Sequence, residues 1–334
     1  MSLVNAAQAA DSAEAFRNIP IIDLKDVGSS DPAVRAALVD QVRDACMNVG
    51  FLYVSNHGIP ETTVGDAVST AKDFFSLPLE KKMELDLTKN NFKGYNPVLS
   101  SNNDPGNGGD MHEGFEFGWE ELDARPRSRD EDGVMAGTNV WPASADCPGF
   151  RESVLGYYHA AVGLGRKLFP LFALALNLPE DFFDEKTKNA AAIMRVLHYP
   201  PQTGPVDDRV IGIGAHTDWE CFTILWQEPG IQALQVLNKQ NQWIDAPPIP
   251  GTLVINLGDQ FARWTNDVFK STVHRAVNRS GVRRYSIPLF FGTDYNVRLE
   301  PIPSCISAER PSKYEVVTAG EYVKSRFKAT YNQY

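Results

Sequence analysis

Two histidines and an aspartate in the second half of the chain have the types and the spacing to hold a metal. In His216-Thr217-Asp218 an imidazole and a carboxylate stand two positions apart at the end of an extended run, so both project to one side and can bite the same ion. His274 stands on a separate run, Ser271-Thr272-Val273-His274-Arg275-Ala276-Val277. Two imidazoles and one carboxylate on one face of a metal suit Fe(II), and the adjacent open positions admit a co-substrate and O₂. An HxD pair alone recurs by chance in a chain of 334 residues. Support comes from Arg284-Tyr285-Ser286, where strand alternation puts Arg284 and Ser286 on one face. A guanidinium fork beside a hydroxyl is what a carboxylate needs for bidentate, charge-assisted recognition, although an isolated RxS is as often a plain surface arginine in a strand.

The remaining histidines do not converge. His57 sits in a turn, His112 in a loop-rich region and His159 on a polar part of a long helix, and each reads as surface or structural. His198 neighbours Tyr199, so the two face opposite sides of a strand. No residue near His216-Thr217-Asp218 offers the general base of an HExxH helix, which disfavours a zinc hydrolase.

The elements that must position these groups divide the chain into a helical first half and a β-rich second half. Asp31 caps a helix with Pro32 at its first position, and Val34, Leu38, Val42 and Ala45 recur at helical spacing until Gly50. The strand Phe51 to Asn56 follows, then an amphipathic helix from Ile59-Pro60-Glu61 to about Ser76. Residues 90–145 are rich in Gly, Asn, Asp and Pro and read as long active-site loops around strands such as Phe115-Glu116-Phe117. A long helix runs from about Phe150 to Leu178. From Ile193 to Phe291 eight short apolar runs follow one another without a helical pattern, which indicates a closed barrel or a double-sheet jelly roll. The expected divisions are a flexible leader at 1–15, a helical-rich region at 16–180, a catalytic core at 181–300 and a C-terminal helical segment at 301–334.

Composition narrows the function classes. The formal charge is -10 and no basic stripe offsets it, so nucleic acid is not an expected partner. Four scattered cysteines form neither a disulfide framework nor a zinc pattern and suit a reducing cytoplasm. No signal peptide or spanning segment is evident, so no membrane partner is expected either.

Taken with these motifs, the chain resembles the isopenicillin N synthase-like 2-oxoglutarate/Fe(II)-dependent dioxygenases. Ile19 to Leu24, Gly50 to Pro60, Lys93-Gly94-Tyr95, His112 to Gly118, His216-Thr217-Asp218, Val254 to Asp259, Ser271 to Arg275 and Arg283 to Phe291 carry the likeness over nearly the whole chain. The resemblance implies an α+β fold with a double-stranded β-helix (jelly roll) core wrapped by N-terminal and central helices. It implies His216, Asp218 and His274 as Fe(II) ligands, with Arg284 and Ser286 on the distal carboxylate of 2-oxoglutarate and Tyr199 assisting. Plant members often carry Asn two residues before that tyrosine, where this chain has Leu197. The implied activity is oxidation of a small metabolite, by hydroxylation or a related C–H oxidation in specialised metabolism, with release of succinate and CO₂. Ferrous oxidases of the same fold also keep RxS and form the alternative, and a non-catalytic jelly-roll binding protein ranks lower because the triad is intact.

Parity extends the expectation to substrate contacts. If Tyr199 faces the interior, so do Leu197 and Arg195, and if Arg284 and Ser286 do, so does Phe290. With Trp219 at the mouth and Phe92 and Tyr95 in a covering loop, these residues form an aromatic pocket with one cation. The competing expectation makes Leu197 and Phe290 plain core and pairs Arg195 with an acidic neighbour.

Overall fold

The computed structural model describes residues 3–90, 92–103, 108–120, 122, 138–202 and 212–331. Its first elements follow the capping signals. Asp31 accepts from the Ala33 amide at 2.8 Å and opens α2 (Pro32–Asn48). Gly50 ends that turn at φ +71, where a Cβ would come within 2.3 Å of the Lys270 carbonyl oxygen, so glycine is required by both backbone and space. The chain then passes into β2 (Phe51–Ser55), α3 (Glu61–Ser76) and α4 (Leu79–Met83), with β1 (Ile21–Asp23) preceding α2. Two short strands, β3 (Gly94–Asn96) and β4 (Glu113–Phe117), lead to the long helix α5 (Phe150–Ala175).

All eight runs expected in the second half are strands: β5 (Ala192–Tyr199), β6 (Ile213–His216), β7 (Phe222–Gln227), β8 (Leu234–Leu237), β9 (Trp243–Asp245), β10 (Thr252–Leu257), β11 (His274–Ala276) and β12 (Arg284–Phe291). They form the two sheets of a jelly roll. The larger runs β1-β2-β10-β7-β12-β5-β4-β3 and the smaller β6-β11-β8-β9. The larger sheet turns one face to α5, where Phe169 packs edge-on against Phe222 and Phe291 and Phe172 packs tilted against Phe222. Gly165 lets the helix approach: a Cβ there would lie 2.5 Å from the Phe291 ring.

Within the expected leader at 1–15, which reads as loose or as a short helix, Leu3–Ser12 is helix α1, which buries Leu3, Val4 and Ala7 because those positions share one helical face. Two expectations need correction. The β-rich half is not free of helix, since α6 (Asp259–Trp264) follows β10; six residues are too few to show a period. The division near residue 180 is also no boundary in space: β1 and β2 extend one end of the larger sheet and β4 and β3 the other. Part of the expected 90–145 loop, residues 91, 104–107, 121 and 123–137, lies outside the described residues. The C-terminal segment carries α7 (Ala319–Tyr331). No described helix is long and apolar enough to cross a membrane.

Candidate metal and co-substrate site

Strand pairing brings the two histidines together. β6 and β11 run antiparallel with His216 directly opposite His274, and the ring centroids are 4.4 Å apart. His216 Nδ1 lies 2.8 Å from the Gly214 carbonyl and His274 Nδ1 lies 3.1 Å from the Thr272 carbonyl. Each Nδ1–H donates to a carbonyl two residues back, so each Nε2 keeps its lone pair for a metal. Asp218 Oδ1 stands 3.6 Å from one Nε2 and 3.7 Å from the other, and among the described residues this is the one group of three donors close enough to share an ion.

Asp218 is divided between two tasks. Its Oδ2 accepts from the Thr223 hydroxyl and, at 2.7 Å, from the Asn256 amide, while Oδ1 faces the imidazoles. Burial alone would push its pKa up, yet the neighbouring His274 and His216 and the bond from Thr223 hold it well below the usual carboxylate range. Burial and the nearby His216 push His274 down to about 4, leaving a neutral imidazole fit to be a ligand. For His216 burial acts the same way, but the Asp218 carboxylate outweighs it and raises the pKa.

Helix α6, missed in the sequence, fixes the backbone that carries Asp218. The amides of Gly258, Asp259 and Gln260 donate to the carbonyls of Cys221, Asp218 and Trp219 at 2.9, 2.8 and 3.0 Å. Asp259 also accepts from Thr217 at 3.0 Å and from Ser271 at 2.6 Å, tying together the segments that bear His216 and His274. These orphan amides of a helix start would otherwise need another partner.

Arg284 and Ser286 sit on the inward face of β12, with Tyr199 directly across from Arg284 on β5. The guanidinium is buried at 1% exposure, stacks over the Tyr199 ring at 4.8 Å and gives Nη2 to Gln227 at 3.2 Å. Its Nε and Nη1 are buried without a hydrogen-bond partner among the described residues. Such an arrangement costs free energy unless an anion occupies it, and with Ser286 beside it the fit is to a carboxylate.

The cavity between the sheets is walled by Arg284, Ser286 and Tyr199 together with Arg195, Leu197 and Phe290, on the faces parity gave them, and by Trp219. Arg195 satisfies both earlier readings. It faces the cavity, with its guanidinium 5.5 Å from the Phe290 ring centroid, and its Nε also bonds Glu116 Oε2. Tyr95 and Phe92 are not in the wall. Tyr95 pairs with Phe115 in the ladder, turns to the opposite face, packs on Phe74 and gives its hydroxyl to Glu113 at 2.6 Å. Conversely, His112 lines the cavity, with Nδ1 on the Gly212 carbonyl at 2.9 Å. Thr223, Gln227 and Asn256 were also missed; the available signal was a lone polar residue in an apolar strand.

Comparison with known proteins agrees with this geometry. Residues 19–144 match the family model described as the N-terminal region of non-haem dioxygenase in morphine synthesis, and residues 190–293 match the 2OG-Fe(II) oxygenase superfamily. The 2-oxoglutarate-Fe(II) type oxidoreductase hxnY of Emericella nidulans is 38% identical over 94% of this chain and 90% of its own. A homoarginine-6-hydroxylase of Oryza sativa is 33% identical over 92% of this chain and 96% of its own. The crystal structure of a full-length Neurospora crassa protein in complex with alpha-KG and thymine superposes with a TM-score of 0.83 at 30% identity, covering 94% of this chain and 97% of that one.

Proposed function

The chain belongs to the 2-oxoglutarate–Fe(II) oxygenase superfamily, and from that premise we propose that it oxidises a C–H bond of a small planar metabolite, with iron on His216, Asp218 and His274. Arg284, Ser286 and Tyr199 take the distal carboxylate of 2-oxoglutarate, and the organic substrate lies against Arg195, Leu197, Trp219 and Phe290. Iron, 2-oxoglutarate and O₂ together supply the oxidation, with one oxygen atom going to succinate as CO₂ leaves and the other available to the substrate.

The protein's part is placement. Thr223 and Asn256 hold one Asp218 oxygen so that the other faces the ion, and Gly214 and Thr272 hold the ring orientations. Gln227 braces the Arg284 fork. Apolar walls from Leu197, Leu225 and Phe290 keep water from the reacting C–H bond. A flat ring stacked on Phe290 would meet the Arg195 guanidinium at its edge, and the bound thymine of the Neurospora protein is a ligand of that shape.

The observation that carries the 2-oxoglutarate reading is the buried Arg284 fork with two nitrogens unpartnered among the described residues. The test is substrate-dependent succinate release across a panel of flat metabolites, with product masses. Arg284→Lys keeps the charge and loses the fork, so it should raise the 2-oxoglutarate requirement by about tenfold or more. Turnover of an organic substrate without 2-oxoglutarate would instead establish the ferrous-oxidase alternative.

A further inference from the structure

Beyond Phe290 the cavity wall carries a carboxyl group that neither the metal nor 2-oxoglutarate employs. Along β12 the inward row of the wall is Arg284, Ser286, Pro288 and Phe290. Gly292 is the next place in that row, because its amide donates to the Ala191 carbonyl at 2.6 Å and carries the pairing with β5 one step past the strand end. It lies eight residues from Arg284, roughly 26 Å at about 3.3 Å per residue, outside the reach of a 2-oxoglutarate held by Arg284. A Cβ placed on Gly292 would come within 2.0 Å of Glu220 Oε2 and 2.8 Å of Glu220 Cδ. The Glu220 carboxyl therefore fills the inward side-chain place at position 292.

Glu220 is 8% exposed and belongs to the cavity wall, and its Oε2 is buried with no hydrogen-bond partner among the described residues. Among those residues no charged side chain acts on it, and burial is the one influence it feels. Its backbone is held too firmly to swing away in search of a partner. The Cys221 amide donates to the Phe291 carbonyl at 3.1 Å, and the Gly258 amide donates to the Cys221 carbonyl at 2.9 Å. Gly258 also closes over the peptide, since a Cβ there would lie 2.2 Å from the Glu220 carbonyl oxygen. Glu220 stands two residues from Asp218, so their Cα atoms are at most about 7 Å apart. A molecule the size of one ring, held by Glu220, thus reaches the ligand set.

Resting on the oxygenase reading of the cavity, we propose that Glu220 is the specificity-determining residue for a substrate nitrogen, and that the organic substrate is a small planar molecule bearing a protonated amine or amidine. The substrate N–H donates to the Glu220 carboxylate, the ring rests on the neighbouring Phe290, and the bond to be oxidised points toward the metal ligands. The Arg195 guanidinium in the same wall is bonded to Glu116, so it brings its own counter-charge. A buried carboxyl without a partner is kept at a cost to stability, and a charged donor arriving with the substrate offsets it.

The test uses the full chain loaded with Fe(II) and 2-oxoglutarate without O₂, and calorimetric binding of matched probes: benzamidine against benzamide and benzylamine against benzyl alcohol. The cations should bind about tenfold tighter than their neutral counterparts. Glu220→Gln, which keeps the shape and removes the charge, should abolish that preference while iron stoichiometry and 2-oxoglutarate affinity stay at wild-type values. Without ligand, Glu220→Gln should melt at or above the wild-type temperature, because the carboxyl it replaces ties nothing together. Equal binding of cations and neutral probes by the wild type, or no binding of either cation at millimolar concentration, would overturn the proposal whether or not the variant folds. So would a Glu220→Gln protein that keeps the preference, or one that melts several degrees lower, which would give the carboxyl a structural role. Iron or 2-oxoglutarate binding that failed in the wild type, with the cation preference intact, would overturn the oxygenase reading instead.

Discussion

Each candidate ligand is held by a bond that costs the site no metal-binding atom. His216 and His274 spend Nδ1 on carbonyls two residues back, and Asp218 spends Oδ2 on Thr223 and Asn256. Asn256→Leu should therefore leave the fold intact but weaken iron binding by about 10–100-fold, because the carboxylate loses a bond that fixes its rotation. Iron titration with a chelator competitor checks this, and an unchanged affinity would show that Thr223 alone orients Asp218. His216→Ala, Asp218→Ala and His274→Ala should each lose iron and turnover together, since each deletes one of three protein donors. Iron stoichiometry retained in any one of them would remove that residue from the site. The ligands and the RxS pair were legible because strand alternation places residues two apart on one face. Asn256, Thr223 and Gln227 obey the same alternation, but a polar residue inside an apolar run reads equally as a buried structural group until the facing strand is known. His112 precedes its strand, where alternation has not yet begun.

At the scale of elements, the second half of the chain was readable and the first only in outline. β5 and β12 are long enough for parity to fix their inward faces, and Arg195, Leu197 and Phe290 fall where it put them. β3 has three residues and its face is set by β4, which sends Tyr95 away from the cavity. What Tyr95 does there involves a second buried group. Glu113 accepts from Lys82 Nζ at 2.7 Å, from Tyr95 at 2.6 Å and from His198 Nδ1 at 2.7 Å, joining α4, β3 and β5 through one carboxylate. Burial alone would raise its pKa, but the bonds from His198, Lys82 and Tyr95 outweigh burial and hold it below the ordinary 4.5. A depressed carboxylate stabilises the fold fully above its unfolded value and loses that contribution as pH falls through the folded one. Glu113→Gln should thus cost about 3 kcal/mol at neutral pH, leaving Lys82 buried without its counter-charge. Melting temperatures of the two proteins should converge as the pH is taken below 4.5. A gap that stayed constant through that range would show that the carboxylate's charge does not matter.

Over the whole molecule, the site depends on segments far apart in sequence that meet behind the smaller sheet. The stretch leading into β11 is anchored twice by the end of α2: the Lys270 amide donates to the Cys46 carbonyl at 2.9 Å, and the Thr272 hydroxyl donates to the Val49 carbonyl at 2.7 Å. Helix α1 adds a third, outer anchor. Asp11 accepts from Lys270 Nζ at 2.6 Å and pairs with Arg310 at 3.5 Å, while Lys239 Nζ donates to the Ala13 carbonyl. Beneath these polar ties Leu3 and Val4 are 3% and 7% exposed. A variant lacking residues 1–12 should then be less stable by roughly 2 kcal/mol and melt a few degrees lower. Its iron stoichiometry should not change, because Cys46 and Val49 still hold the backbone that presents His274. Metal loss parallel to the fall in melting temperature would mean instead that α1 carries the strain of keeping β11 in register with β6.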